Sequence, residues 1–300
     1  MKHIATYKND SFNSKSLTSY ITEYIIKKKL DAPIDSEDHY KYFPKSKDEL
    51  KKNIIECIQN NNYDFNCIDT SKIIDMSYLF GSLSNVPIQN INFDVSEWDV
   101  SNVEYMQHMF SYCKSFNGDL SKWDVSNVEN MYNMFNECTN FDCDLSNWDV
   151  SKVENMFAMF DSCKNFTGEG LENWNVSNVK RMGFMFNNCK NFNCDLSKWN
   201  VSNVNTMERM FYGCEIFEGK GLENWDVSNV DNMSNMFYNC KKFDCDLSNW
   251  NISKVKFMER MFYNCKKFKV DCLENWKITT KVSKKNIFYG TKNTPSWYKK

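Results

Sequence analysis

Apolar residues return along this chain in a long, regular beat. Tryptophans stand at Trp98, Trp123, Trp148, Trp174, Trp199, Trp225, Trp250 and Trp276, at intervals of 25 or 26 residues. Around each one the same letters recur, as in Leu145-Ser-Asn-Trp148-Asp-Val150-Ser-Lys-Val153-Glu-Asn-Met156-Phe-Ala-Met159-Phe160-Asp-Ser-Cys163. Self-similarity at a fixed period of this length is the signature of a repeat array. Two hydrophobic periods alternate within each copy. Leu145-x-x-Trp148-x-Val150 resembles the strand pattern of a leucine-rich repeat, with Trp and Val on one face and Asn147, Asp149 and Ser151 on the other. Val153, Met156, Met159/Phe160 and Cys163 follow the i, i+3, i+7, i+10 spacing of a helix. One repeat therefore reads as a short strand, a helix of about three turns, and a return turn carrying Phe116, Phe141, Phe166, Phe192, Phe217, Phe243 or Phe268.

The polar letters read as helix punctuation. Ser101, Ser126, Ser151, Ser177, Ser202, Ser228 and Ser253 stand where an N-cap is needed, and Glu104, Glu129 and Glu154 complete capping boxes. Lys114, Lys164, Lys190, Lys241 and Lys266 follow the helical segment, where a cation complements the helix dipole. Parallel strands stack about 4.8 Å apart and helices about 8–10 Å apart, so strands belong on the shorter side. The expected fold is an α/β repeat solenoid, leucine-rich-repeat-like, with short parallel strands on the concave side and helices on the convex side. A small helical N-terminal cap completes it.

The repeat sets the boundaries. Residues 1–62 lack it and form the cap region, with helical stretches near Leu17–Leu30 and Lys47–Asn60, the second capped by Ser46-x-x-Glu49. Residues 63–92 hold a degenerate first repeat (Ile68, Ile73, Met76, Leu79-Phe80) and an insertion. Residues 93–276 hold seven to eight strand–helix repeats, and 277–300 a C-terminal cap. In that cap Ile287-Phe288 stays in register, while Trp297 is out of register and is expected to pack over the end.

Composition narrows the function. A net charge of −2 offers no footprint for nucleic acid. No stretch is apolar enough to span a membrane, and the polar segment Met1–Leu17 does not read as a secretory signal. A cytoplasmic location is expected, with the thirteen cysteines as reduced thiols. Cys113, Cys138, Cys163, Cys189, Cys214, Cys240 and Cys265 fall on the inward stripe as small hydrophobes, and Cys143, Cys194 and Cys245 form C-x4-C pairs without a nearby His. His3, His39 and His108 are scattered, with His108 expected to face outward. No catalytic residue, metal site or cofactor is assigned.

Two surfaces remain as candidates. The row after each Trp, Asp99, Asp124, Asp149, Asn175, Asn200, Asp226 and Asn251, is either a solvated strand face or a binding ladder on the concave side. Tyr212, Tyr238 and Tyr263, beside Arg209 and Arg260, form an outer row that either anchors an interface or lies partly buried between helices.

The motif W-D-V-S-N-V-x-x-M-x-x-M-F-x-x-C-x-x-F resembles the repeat of the BspA-like leucine-rich-repeat proteins. It is similar in particular to the branch catalogued as a domain of unknown function in bacterial surface lipoproteins. The resemblance covers Phe93–Trp276 and extends loosely to the Tyr42–Leu50 and Ile68–Met76 lead-in. It implies a strand–helix solenoid used in adhesion or protein binding, with no catalytic residues to carry over. The expected function is a non-catalytic protein–protein interaction scaffold, with a surface-exposed structural protein or adhesin as the alternative.

Overall fold

In the computed structural model the chain divides into two compact units, Met1–His39 and Tyr40–Lys300. The structure describes residues 39–83, 87–278 and 281–298. The helix expected near Leu17–Leu30 lies outside the described residues.

The second unit opens with one α-helix, α1, Lys47–Gln59. Its start is the one the sequence marks: the Ser46 hydroxyl accepts the Glu49 N–H, and Asp48 and Glu49 lie in the positive first turn. Glu49 reaches back to the Lys45 N–H rather than to that of Ser46. Leu50, Ile54, Cys57 and Ile58 form the buried face of α1, against the first coil.

Beyond α1 the chain is a stack of coils, and the expected strand–helix alternation is absent from the described residues. Residues 153–163 and their counterparts are runs of turns. The reason lies in where the backbone N–H groups go. Met159, Asp161 and Cys163 close four-residue turns onto Met156, Ala158 and Phe160. Met156, Ala158, Phe160 and Ser162 instead donate to Arg181, Gly183, Met185 and Asn187 of the next coil. A helix would need all of these donors for its own carbonyls. Ala158 (φ 54°) and Ser162 (φ 63°) are also left-handed, which breaks any helix. Turns that advance by four residues put Met156, Met159/Phe160 and Cys163 on one side, so they reproduce helical spacing without a helix.

The Leu-x-x-Trp-x-Val segment holds no strand either. Trp148 N–H closes a turn on Leu145 O, and Val153 N–H one on Val150 O. Parallel pairing takes the form of single bridges, two of them in the first coils (Tyr42 with Ile68, Asp64 with Asp94) and the rest one row further on. The latter run unbroken from Asp75 through Tyr105, Asn130, Asn155, Arg181, Thr206, Asn232 and Phe257 to Ser283. The inward set is as expected, since Leu145, Trp148, Val150, Val153, Met156, Met159, Phe160, Cys163 and Phe166 are all buried.

The core is cross-linked between coils by side chains as well. Each indole Nε1–H donates to a carbonyl of the preceding coil, from Trp98 to Phe65 O (2.9 Å) through to Trp276 to Leu247 O (3.1 Å). Trp297 continues this ladder onto Leu273 O at 2.8 Å, so it is a member of the register rather than an outlier. Cysteine does the same: the thiols of Cys138, Cys163, Cys189, Cys214, Cys240 and Cys265 point at the Phe carbonyl one coil back, at 2.9–3.0 Å. All thirteen cysteines are free.

The left-handed turn positions carry a measurable cost. Left-handed backbone disfavours a Cβ by about 1–2 kcal/mol, and glycine's entropic penalty offsets part of that. Ala158→Gly is therefore expected to raise stability by up to about 1 kcal/mol, and Ala158→Val to lower it by more than 1 kcal/mol. Urea denaturation of the three proteins checks both signs.

Candidate functional site

The serines expected to cap helices have a different duty. In each coil the Asp or Asn after Trp turns its Oδ1 onto the backbone N–H two residues on. Asp99, Asp124, Asp149, Asn175, Asn200, Asp226 and Asn251 accept from Ser101, Ser126, Ser151, Ser177, Ser202, Ser228 and Ser253 at 3.0–3.2 Å. This is the Asx turn, in which a short side chain substitutes for a backbone acceptor. Hydrogen bonds from Ser126 and Ser228, hydroxyl first and backbone second, hold Asp124 and Asp226 below the usual carboxylate range. A second Asx turn lies five residues earlier in many coils, as Asp144 with Ser146, and a third at the bridge row, as Asn155 with Phe157.

The whole ladder is exposed, yet one oxygen of each member is committed to folding. The capping-box acids are likewise backbone rungs, since Glu129 and Glu154 N–H donate to Glu104 and Glu129 O. Of the lysines expected at helix ends, Lys190 and Lys241 pair with Glu215 of the intervening coil.

A different feature crosses the coils. Tyr212, Tyr238, Tyr263 and Tyr289 stack face to face, with centroids 4.5, 4.5 and 4.6 Å apart and planes within 17°. Tyr212, Tyr238 and Tyr263 are half-buried by their neighbours, and Tyr289 is 60% exposed. Burial raises the Tyr263 hydroxyl above its ordinary pKa, Tyr238 and Tyr289 add to the rise, and the positive charge of Arg260 opposes it.

The stack continues toward the N-terminal coils through Arg209 of the expected row and then through Phe184, Phe157, Tyr132 and Tyr78, which the sequence reading did not single out. The exposed Arg209 guanidinium lies 5.6 Å from the Tyr212 ring and 5.2 Å from Phe184. Phe184 meets Phe157 (5.2 Å), Phe157 meets Tyr132 (5.8 Å), Tyr132 meets His108 (4.9 Å), and His108 stacks on Tyr78 (4.4 Å). One strip of ring faces thus runs from Tyr78 to Tyr289. Its members come from three rows, two, three and six residues after the bridge residue of each coil, so no single sequence register displays it. His108, expected to face outward, is half-buried within it, and Asn133 Nδ2 lies 3.4 Å from its Nε2.

Among the described residues no cluster of His, Cys, Asp and Glu is arranged to hold a metal ion. None of their helices is long and apolar enough to cross a membrane. Burial pushes the Cys113 thiol up to about 12 and raises the rest of its row, which disfavours the thiolate.

The Asx reading separates charge from turn. Asp99→Asn, Asp124→Asn and Asp149→Asn are each expected to leave stability within about 0.5 kcal/mol, because asparagine does the same work in three other coils. The alanine substitutions are expected to cost about 1 kcal/mol each; denaturant midpoints compare the two sets. A second expectation concerns His108. Burial lowers its pKa, so the folded chain favours the neutral ring. That contribution is complete above the ordinary value of 6.5 and is lost as pH falls below it. Asparagine tolerates the left-handed backbone of this position (φ 57°). His108→Asn should therefore flatten the fall in stability between about pH 7 and 5.5, as read from thermal melts across that range.

Comparison with curated proteins and with solved structures gave no match. Residues 49–169, 143–220 and 196–299 each match the family described as Mycoplasma protein of unknown function, DUF285. The three overlapping matches take in α1 from Glu49 onward, the degenerate first coil and the whole regular stack, and the chain belongs to this family.

Proposed function

We propose that this chain is a non-catalytic interaction scaffold, a repeat solenoid whose aromatic strip binds another polypeptide. The observation that supports the reading is the strip itself. Ring faces and guanidinium groups lie in unbroken contact over nine successive coils on one surface. Tyr and Arg are the residue types that carry most of the free energy at protein interfaces. The Asp/Asn ladder, whose oxygens already hold turns, is the secondary candidate. The motif that resembles the BspA-like repeat favours a second reading, a surface-exposed structural protein or adhesin. Cell fractionation bears on it, since protein found inside the cell alone would count against it.

The triple variant Arg209→Glu, Arg260→Glu, Tyr289→Ser tests the strip. Glu137 already occupies a left-handed turn position in this chain, so glutamate at 209 and 260 is compatible with the backbone. Polypeptides retained by the native chain in affinity capture are expected to be lost by at least about tenfold, with the denaturation midpoint little changed. Undiminished retention by the folded variant would overturn the reading.

A further inference from the structure

We propose that the edge presented by Lys284–Gly290, whose backbone donors meet no acceptor among the described residues, docks an acidic polypeptide segment. In every regular coil, four N–H groups on alternate residues reach across to the next. Met258, Arg260, Phe262 and Asn264 donate to Ser283, Lys285, Ile287 and Tyr289 at 2.9, 3.0, 3.0 and 2.7 Å. The matching groups one coil on belong to Lys284, Asn286, Phe288 and Gly290, and no acceptor among the described residues takes any of them. Four backbone donors in a fixed register form the edge on which a further chain adds.

The apolar layer beside them is already closed. Trp297 docks on Leu273 O, and the Tyr298 ring lies edge-on against Phe288 at 5.2 Å. The unmet demand of this end is therefore polar: acceptors for the backbone, not cover for the core. The same residues line a cavity of about 800 Å³ that also includes Lys285 and Lys292. From residue 277 to 300 the sequence carries seven lysines and no Asp or Glu. Charge complementarity selects an acidic occupant.

Lysines alone would suit any polyanion, but the register of the four donors does not. In each earlier coil they meet polypeptide carbonyls on alternate residues, so the edge is shaped for a polypeptide. A second copy added end to end is disfavoured, because its opposite end is occupied by α1. There Lys47 Nζ holds Asp75 Oδ2 at 2.6 Å and Ser77 Oγ at 2.9 Å. This edge shares with the scaffold reading the premise that the chain binds polypeptide and one residue, Tyr289, which also lines the cavity; its test varies none of the residues varied above.

The experiment is amide hydrogen exchange on the full chain, with and without a poly-L-glutamate oligomer of about twenty residues at low ionic strength. Exchange at Lys284, Asn286, Phe288 and Gly290 is expected to slow by about tenfold or more when the oligomer binds. Lys284→Glu, Lys285→Glu and Lys292→Glu together are expected to abolish the effect while the Phe211 and Phe237 amides stay protected. If that variant does not fold, the exchange result on the native chain decides alone. The proposal is overturned if the oligomer fails to bind, or binds without slowing those four amides. It is equally overturned if an oligo-dT or phosphatidylserine vesicles slow them as much.

Discussion

The backbone hydrogen bond passed from one coil to the next is the constraint on which everything else in this molecule rests. A run of turns satisfies only about half of its own N–H groups, as the alternation between Met159 and Phe160 makes plain. The other half must find acceptors, because a buried unpaired amide costs as much as a lost hydrogen bond. Only a neighbouring coil of the same length and register presents those acceptors in the right places. The Trp Nε1 and Cys Sγ ladders obey the same rule one layer further in. A single coil therefore has neither a closed core nor a closed backbone, which makes stability a property of the stack.

That constraint also explains how the array tolerates two repeat lengths. The Trp123–Trp148 and Trp148–Trp174 spacings differ by one residue in sequence, yet the ring centroids lie 6.5 and 6.3 Å apart and the planes within 2°. The extra residue is absorbed in the return segment, where Gly168 and Gly170 take φ of 87° and 90°. A Cβ on Gly170 would come within 2.5 Å of Ser146 N, so only glycine lets this bend lie against the previous coil. The insertion falls outside the run of turns at 156–163 and its counterparts, so their bonds to the neighbouring coils keep their register.

The period, the inward residues and the α1 cap were legible in the letters because burial and capping leave direct marks on composition. Leu145, Trp148, Val150 and Met156 face inward whichever backbone carries them. The backbone itself was misread, for a physical reason. Four-residue turns and an α-helix both return a side chain to the same face every three to four positions, so periodicity alone cannot separate them. Two signals could have. Asn is the commonest residue at the non-glycine left-handed positions, and no β-branched residue stands there. Asp-x-Ser also occurs twice in several coils, as at Asp144 and Asp149, where a helix start calls for one cap. The Asp ladder was visible as a row but not as a set of turns, and the aromatic strip was half visible. Tyr212, Tyr238 and Tyr263 share one register, whereas Tyr132, Phe157 and Phe184 enter from adjacent rows.

What the fold demands and what it leaves open can now be told apart row by row. Positions that hold Trp, Met, Phe, Cys and the Asx acceptors are set by packing or by turn geometry. The row at Asn136, Asp161, Asn187, Tyr212, Tyr238, Tyr263 and Tyr289, buried at Asn187 and exposed at Tyr289, is held in register by its backbone and by its neighbours' backbones whichever side chain it carries. Within it, Asn187 Nδ2 bonds Asp161 Oδ1 at 2.7 Å in the earlier coils, and tyrosine rings stack in the later ones. Both arrangements leave the inter-coil backbone bonds of this row intact, so the backbone does not choose between them. The change from amide and carboxylate to aromatic at Tyr212 is therefore a choice of surface, and it falls where Arg209 joins the two halves of the strip.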